Sequence, residues 1–340
     1  MRKIWISPYI ERIAEDYRDE VLTKHSPLSA LKDLYESLTK TSGIPHKAEY
    51  CKYVQRLCYY FVTKGPRCGR LLCLKPSKWK DKQHRVFNIV QELWMKETFN
   101  LPGKGTNTFH GFVTEALGYK KIRNEVLRKY VSMLGIKACY YCNAQYTISA
   151  EDYNGDYYAN YELDHCMPGS KYPFLNLCFY NFHPSCPTCN KRKSDTFMVE
   201  SMYEEKSGRD INPFFFALDR KSIIQYMLSN NKDDLKITFS NPSNPTLATD
   251  YETHFHINTI YSQHKDVAEE LIWKARCYRD TDIDALYTQY NRLFSGKTKE
   301  DFKRMLYGHH ILPSEIHKRP LNKMLRDIAK QLGILDNSKH

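Results

Sequence analysis

No apolar run in this chain reaches the roughly 18 residues that a membrane-spanning helix needs. An export signal is also lacking, because Met1-Arg-Lys-Ile-Trp-Ile-Ser leads into charged residues instead of an apolar stretch and a small-residue cleavage site. There is no internal repeat and no low-complexity tract. The 11 cysteines are an odd number, and together with the missing export signal this argues against a disulfide framework and for a reducing compartment. These absences lead to the expectation of a soluble, cytoplasmic protein with no membrane partner.

What is present is basic and large enough for ordinary cores. With 340 residues the chain can form two or three compact units without a metal to hold them. Lys and Arg number 51 against 39 Asp and Glu, a net charge of +12. Such a surplus attracts polyanions, so nucleic acid is the first partner to consider.

Four of the cysteines fall in two C-x-x-C knuckles, Cys139-Tyr-Tyr-Cys142 and Cys186-Pro-Thr-Cys189, with 43 residues between them. Four thiolates suit the tetrahedral, closed shell of a structural zinc. The other seven read as ordinary thiols. Cys51 and Cys58 fall with Val54 and Phe61 on one helical face, where a free cysteine behaves as a small hydrophobe.

The first hundred residues read as mainly helical. Tyr50, Val54, Leu57, Cys58 and Phe61 have helical spacing before a stop at Gly65-Pro66, and Arg85 to Phe99 reads as a second helix. Leu101 to Asn107 reads as a loop or boundary. A face of Ile122, Val126, Leu127, Tyr130, Val131 and Leu134 ends at Gly135, which delivers the chain to the first knuckle. Ala144 to Glu162 reads as a hairpin turning at Asn154-Gly155, and a helix is expected to leave the second knuckle toward Met198 and Met202. Two strands are expected around Leu235–Phe239 and Phe255–Thr259, flanking an Asn/Pro-rich loop at 241–250. Helices are expected at Val267–Tyr278 and Asp282–Phe294 and at the end, where Pro320 suits a first turn, Leu321, Leu325, Ile328 and Leu332 make a stripe, and Gly333 stops it.

Between the knuckles lies Glu162-Leu163-Asp164-His165. Phosphodiester hydrolysis needs a base, a cation to offset phosphorane charge and groups that orient both. His165 suits the base, since an unperturbed imidazole with a pKa near ~6.5 is mostly neutral in the cell. On a strand Asp164 would point to the opposite side, so a strand end or kink is required for both to address one phosphate.

The run Glu162-Leu163-Asp164-His165-x-x-Pro168, followed by Tyr180-Asn181-Phe182-x-Pro184-x-Cys186-x-x-Cys189-Asn190-x-x-Lys193, resembles the HNH endonuclease motif. The resemblance implies an α+β fold, mainly helical, with an embedded core of two strands and a helix around one divalent metal, braced by the knuckle zinc. By position it implies that His165 is the general base, that Asp164 and Asn190 hold a catalytic Mg²⁺ or Mn²⁺, and that Asn181 orients the histidine through backbone contacts. Lys193, Lys171 and Arg192 would touch substrate.

The implied layout is a helical region over 1–108 with a basic segment, a nuclease core with the four-cysteine zinc over 109–205, and a mostly helical α+β region over 206–340. Ser170-Lys171-Tyr172-Pro173 and Arg319-Pro320-Leu321-Asn322-Lys323 further resemble HNH proteins of prokaryotic antiphage defence, some of which, as in the Septu type, work with an ATPase partner. Gly169 departs from the basic residue these proteins often carry there.

The implied partner is DNA. One such site cuts one strand, so double-strand cleavage requires a homodimer or two successive nicks. Two alternatives remain open in the sequence: a non-catalytic zinc ribbon that docks nucleic acid or protein, and a nuclease acting on RNA, since nothing in the motif reads the 2′-hydroxyl. The run Lys64 to Arg85, with Lys64, Arg67, Arg70, Lys75, Lys78, Lys80, Lys82 and Arg85 around Trp79, reads as a track for a nucleic-acid backbone. His183 reads as a local hydrogen-bonding residue. His309, His310 and His317 have no ligand spacing and read as ordinary histidines.

Overall fold

Capping chemistry sets the first helix. Ser7 accepts from the Ile10 amide and Pro8 takes the first position, opening α1 (Pro8–Lys24) just after the short strand β1 (Ile4–Trp5). Ile10, Ile13, Ala14, Tyr17 and Val21 recur at helical spacing and are buried. The computed structural model describes residues 1–62, 68–155, 157–195, 200–206, 212–278, 280–290, 292–293, 296–310 and 312–335. Gly65, Pro66, Lys64, Arg67, Met198 and Phe294 therefore lie outside the described residues.

α2 (Leu28–Lys40) and α3 (Lys47–Phe61) pack against each other, and α3 buries Tyr50, Tyr53, Val54, Leu57, Tyr60 and Phe61. Cys51 and Cys58 pack half-buried against the same core. Within the basic run that follows, Arg70, Lys78, Lys80 and Arg85 are exposed, while Trp79 and Lys75 are engaged by the protein. Trp79, at the start of α4 (Trp79–Lys82), is buried with its Nε1–H on the Leu74 carbonyl, and Lys75 pairs with Glu11.

The helix expected from Arg85 to Phe99 is absent. A π-helical turn at Gln83–Phe87 is followed by the single turn α5 (Glu92–Met95) and then by strand β2 (Thr98–Leu101). β2 pairs antiparallel with β3 (Gly105–Thr108), so the expected loop at 101–107 is the tip and second strand of a hairpin. The reason is visible in Thr98 to Leu101, where exposed and buried residues alternate with the period of a strand.

α6 (Phe109–Ala116) and α7 (Tyr119–Ile122) lead through a π-helical turn into α8 (Arg128–Ser132), burying Ile122, Val126, Leu127, Tyr130 and Val131. β4 (Ser149–Glu151) and β5 (Tyr157–Ala159) pair antiparallel as the expected hairpin, with Asn154-Gly155 inside a five-residue connection, 152–156, longer than a two-residue turn. Strands β6 (Glu162–His165) and β7 (Phe182–Ser185) then pair antiparallel, and α9 (Pro187–Lys193) follows within two residues and packs on β6. Two strands and a helix in this order make the local frame of the site.

β8 (Tyr203–Glu204) pairs in parallel with β1, bringing the two ends of the first two hundred residues together. β9 (Phe215–Leu218) leads to α10 (Arg220–Ser229) and pairs antiparallel with β10 (Ile237–Ser240). The second strand expected near Phe255–Thr259 is helical instead: α11 (Pro245–Phe255) and α12 (Ile257–Tyr261) cover it. Asn244 caps the Leu247 amide and Pro245 occupies the first turn, while Ala248, Tyr251 and Phe255 bury at helical spacing. The apparent alternation of Phe255 and Ile257 comes from the junction of two helices.

α13 (Lys265–Cys277), α14 (Asp280–Tyr290), α15 (Lys299–Tyr307) and α16 (Asn322–Gln331) complete the chain. α16 lies on β9, where Asp327 accepts the Phe216 amide and Gln331 pairs with both amide and carbonyl of Leu218. It starts at Asn322, so Pro320 precedes it, and Leu321 adopts a left-handed conformation at its cap. One apolar cluster runs from Met1 to Leu335, joined by aromatic stacks such as Tyr50 on Phe109 (4.1 Å) and Phe87 on Phe174 (4.4 Å). Among the described residues no helix is long and apolar enough to cross a membrane.

Candidate metal centre and histidine site

The two knuckles meet. The Sγ atoms of Cys139, Cys142, Cys186 and Cys189 all lie within 4.8 Å of one another, and all four residues are buried. Tetrahedral ligation at roughly 2.3 Å places sulfurs about 3.8 Å apart, close to this arrangement. The backbone is already folded around the sulfurs: the Cys186 amide points to Cys139 Sγ (3.3 Å), and the Ala144 amide to Cys142 Sγ (3.4 Å). Hydrogen bonds among the thiols hold Cys186 below the usual thiol range, and burial holds Cys139 above it, so the four cannot all ionise without a shared cation. This cluster can hold a metal ion, and its all-sulfur donor set suits zinc. Among the described residues no other group of His, Cys, Asp or Glu comes together in this way.

Both far ends of the chain lock onto the first knuckle. The Met1 amino group donates to the Tyr140 carbonyl (2.9 Å), and burial pushes its pKa down to about 4. The Leu321 amide donates to the Asn143 carbonyl (2.6 Å) and the Lys323 amide to its Oδ1 (3.0 Å). Arg319–Lys323, which had stood out in the sequence, is thus a clamp on the knuckle turn.

The first knuckle also aims a side chain that the motif did not name. Tyr141 is fully buried; its hydroxyl donates a short hydrogen bond to Asp164 and lies 3.2 Å from His183 Nδ1. His183 sits opposite Asp164 in the β6–β7 register, and its Nε2 accepts the Met202 amide (2.9 Å). An acceptor Nε2 leaves the proton on Nδ1, which donates to Tyr141 and completes a directed chain from Met202 through His183 and Tyr141 to Asp164. Burial keeps the His183 imidazole neutral, well below its ordinary pKa. The Tyr141→Phe variant should weaken whatever Asp164 binds by about 10- to 100-fold. It should also cost about 1–3 kcal/mol for the orphaned His183 N–H. Mn²⁺ titration and urea unfolding measure the two effects, and wild-type values in both would refute this chain.

Asp164 and His165 do diverge, as adjacent strand residues must, and His165 stands at the strand end. Asp164 faces Tyr141 and Lys193; burial pushes its carboxyl up, against the pull of Lys193 and the Tyr141 hydrogen bond. His165 turns toward Tyr119 (ring centroids 5.1 Å apart) and Phe182 (4.8 Å). Its Nε2 is 3.2 Å from the Asn176 carbonyl. A carbonyl only accepts, so Nε2 carries the proton and Nδ1 is left with a lone pair. Burial pushes the imidazole down to about 4 from an ordinary 6.5, so it is neutral near pH 7.

Asn181 is wholly buried and clamps the turn after His165. Its Oδ1 accepts the Met167 amide (2.7 Å), while Nδ2 donates to the carbonyls of Met167 (3.1 Å) and Leu175 (3.2 Å). Asn176 is held in turn by Thr114, whose hydroxyl accepts from its Nδ2 (2.8 Å). Its Oδ1 faces Gly169, where an added Cβ would come within 2.3 Å. That contact gives a steric reason for glycine at a position expected to be basic. Gly169→Ala should cost about 1–3 kcal/mol through overpacking, read as a lower denaturation midpoint; an unchanged midpoint would show that Asn176 moves freely.

The expected substrate cations are placed differently from the reading above. Lys193 is 1% exposed and directs its ammonium to Asp164 (3.1 Å) and the His165 carbonyl (2.8 Å). It is buried against that carboxylate and not displayed at the surface, because α9 packs on β6. Lys171 pairs with Glu92 (2.9 Å). Arg192 is exposed and leans on the Phe255 carbonyl (3.4 Å).

Asn190, one turn before Lys193 on the same face of α9, is partly exposed, and its side chain makes no hydrogen bond with any described residue. Asp164 and Asn190 offer the oxygen donors that a hard cation prefers. Here the charge on Asp164 is already met by Lys193, so a divalent ion would share the carboxylate with that ammonium.

Comparison with known proteins gives no match: no family model fits the chain, and no curated protein or solved structure is significantly similar to it. His309, His310 and His317 are buried and hydrogen-bonded, to Tyr307, Glu315 and Arg2 respectively, and take no part in a ligand cluster among the described residues.

Proposed function

We propose that the chain is a metal-dependent HNH-type endonuclease that hydrolyses DNA phosphodiester bonds, with zinc in the four-cysteine cluster as a brace. The observation that carries the reading is the state of His165. Its Nε2–H is fixed on the Asn176 carbonyl, leaving a neutral imidazole with a free Nδ1 lone pair at the end of a strand. That is the requirement for a group that takes a proton from water.

Asn181 and Asn176 orient this histidine, and the Tyr141–His183 chain with Lys193 fixes Asp164. A divalent ion held by Asp164 and Asn190 would supply the positive charge that offsets the phosphorane and the departing 3′-oxygen. The resemblance noted in the sequence favours 5′-phosphate and 3′-hydroxyl products, a cytoplasmic role in antiphage defence and an ATPase partner.

Purified chain should nick supercoiled plasmid in Mg²⁺ or Mn²⁺ and not without divalent ions. Digestion of DNA and RNA side by side decides between the two polymers. Metal-independent binding of nucleic acid with no cleavage would instead identify a zinc ribbon that only docks.

A further inference from the structure

Against the outer side of Tyr119 lies a cavity of about 390 Å³, lined by His110, Gly111, Thr114, Glu115, Gly118, Tyr119, Lys120 and Lys121. It is built by α6 and α7, outside the two strands and helix that carry Asp164, His165 and Asn190. Two contacts tie it to the histidine. Tyr119 stands in its wall and touches the His165 ring, with centroids 5.1 Å apart. Thr114, also in its wall, holds Asn176, whose carbonyl holds His165.

The lining chemistry is open for a ligand. The His110 carbonyl accepts from the Thr114 hydroxyl (2.7 Å), but its ring makes no hydrogen bond with any described group; burial pushes the imidazole down, so it is neutral, with one donor and one acceptor to offer. Lys120 and Lys121 are exposed at the rim, and neither has an ion-pair partner among the described residues. Glu115 is fixed by the Asn107 amide (2.9 Å). A neutral donor–acceptor group inside and two unpaired cations outside match a nucleoside flanked by phosphates.

We propose that this cavity is a subsite for one unpaired nucleotide next to the scissile phosphate, so that the substrate is single-stranded or locally unpaired nucleic acid. The proposal rests on the nuclease reading for the identity of the reacting bond. Size is the deciding quantity. The volume falls at the low end of small-ligand sites, roughly 300–1,000 Å³, and a base inside a duplex enters a pocket of this kind only by leaving its stack. The two rim lysines would hold the neighbouring phosphates and make binding fall with salt.

The test is binding by fluorescence anisotropy, with the zinc-loaded chain, no added divalent ion, and a labelled single-stranded DNA decamer beside its duplex. The single strand should bind at least tenfold more tightly than the duplex. His110→Trp, which fills the cavity, and the surface pair Lys120→Glu/Lys121→Glu, which leaves the interior alone, should each reduce single-strand affinity at least tenfold. Either variant suffices should the other misfold. Equal affinity for single strand and duplex, or single-strand affinity unchanged in the variants, would overturn the proposal; a cavity that takes a peptide gives the second result. Cutting is not read here, so a failure to nick plasmid would count against the nuclease and leave the subsite standing.

Discussion

In Mg²⁺, a His165→Ala chain should nick supercoiled plasmid about 10²- to 10⁴-fold more slowly than the parent, the usual contribution of a positioned general base. The loss should appear in the rate and not in the fold. His165 is partly exposed at a strand end; its ring contacts are Tyr119 and Phe182, and the turn behind it is held independently by Asn181. Removing the imidazole therefore leaves the Asn181 clamp and the cysteine cluster in place. The acid limb of the pH–rate profile offers a second check. A folded pKa near 4, below the ordinary 6.5, means that the base stays unprotonated as pH falls through 6.5. Cleavage should show no step there, and a clear half-maximal point near 6.5 would mean that burial does not act on His165 as described.

The second large effect concerns the brace. Cys186→Ser should release the bound metal and unfold residues 139–193 while α1, α2 and α3 persist. Zinc ligation in small zinc peptides contributes on the order of 10–16 kcal/mol, whereas in β6, β7 and α9 the buried apolar side chains other than cysteine are Leu163, Phe182 and Pro184. The damage should spread along defined hydrogen bonds. Cys142 accepts from Tyr261 (2.8 Å), Asn143 holds the start of α16, and Tyr141 holds Asp164. Limited proteolysis read by mass spectrometry should find new cuts within 139–193 and at the start of α16. Native-like resistance across that range in the mutant would remove the brace from the account.

The four-cysteine cluster and the strands and helix beside it were legible because their parts are close in sequence. Cys186, Cys189, Asn190 and Lys193 lie within one helix and its cap, and Asp164 with His165 on the strand that pairs just before it. Spacing alone brings such residues together. What spacing could not show were the contacts that reach across the chain. Thr114 to Asn176 spans 62 residues, and Tyr141 to Asp164 runs from the knuckle to the strand. A tyrosine between two metal ligands was the available signal for the latter.

Lys193 was misplaced for a different reason. A lysine on a short helix reads as exposed, and only the packing of α9 on β6 shows that it is buried against a carboxylate. The missed elements have local causes too. The residues from Thr98 to Leu101 alternate like a strand inside a stretch that reads as helical, and Asn244-Pro245 opens a helix where a loop was expected.

In the proposed function, sulfur holds the frame, and His165 with its neighbouring oxygens acts on the substrate. The most direct test is plasmid nicking in Mg²⁺ by the zinc-loaded chain beside its His165→Ala variant, at equal zinc content. Nicking by the parent that falls at least a hundredfold in the variant is the expected result. Equal nicking by both, or nicking by the parent that survives without any divalent ion, would contradict it.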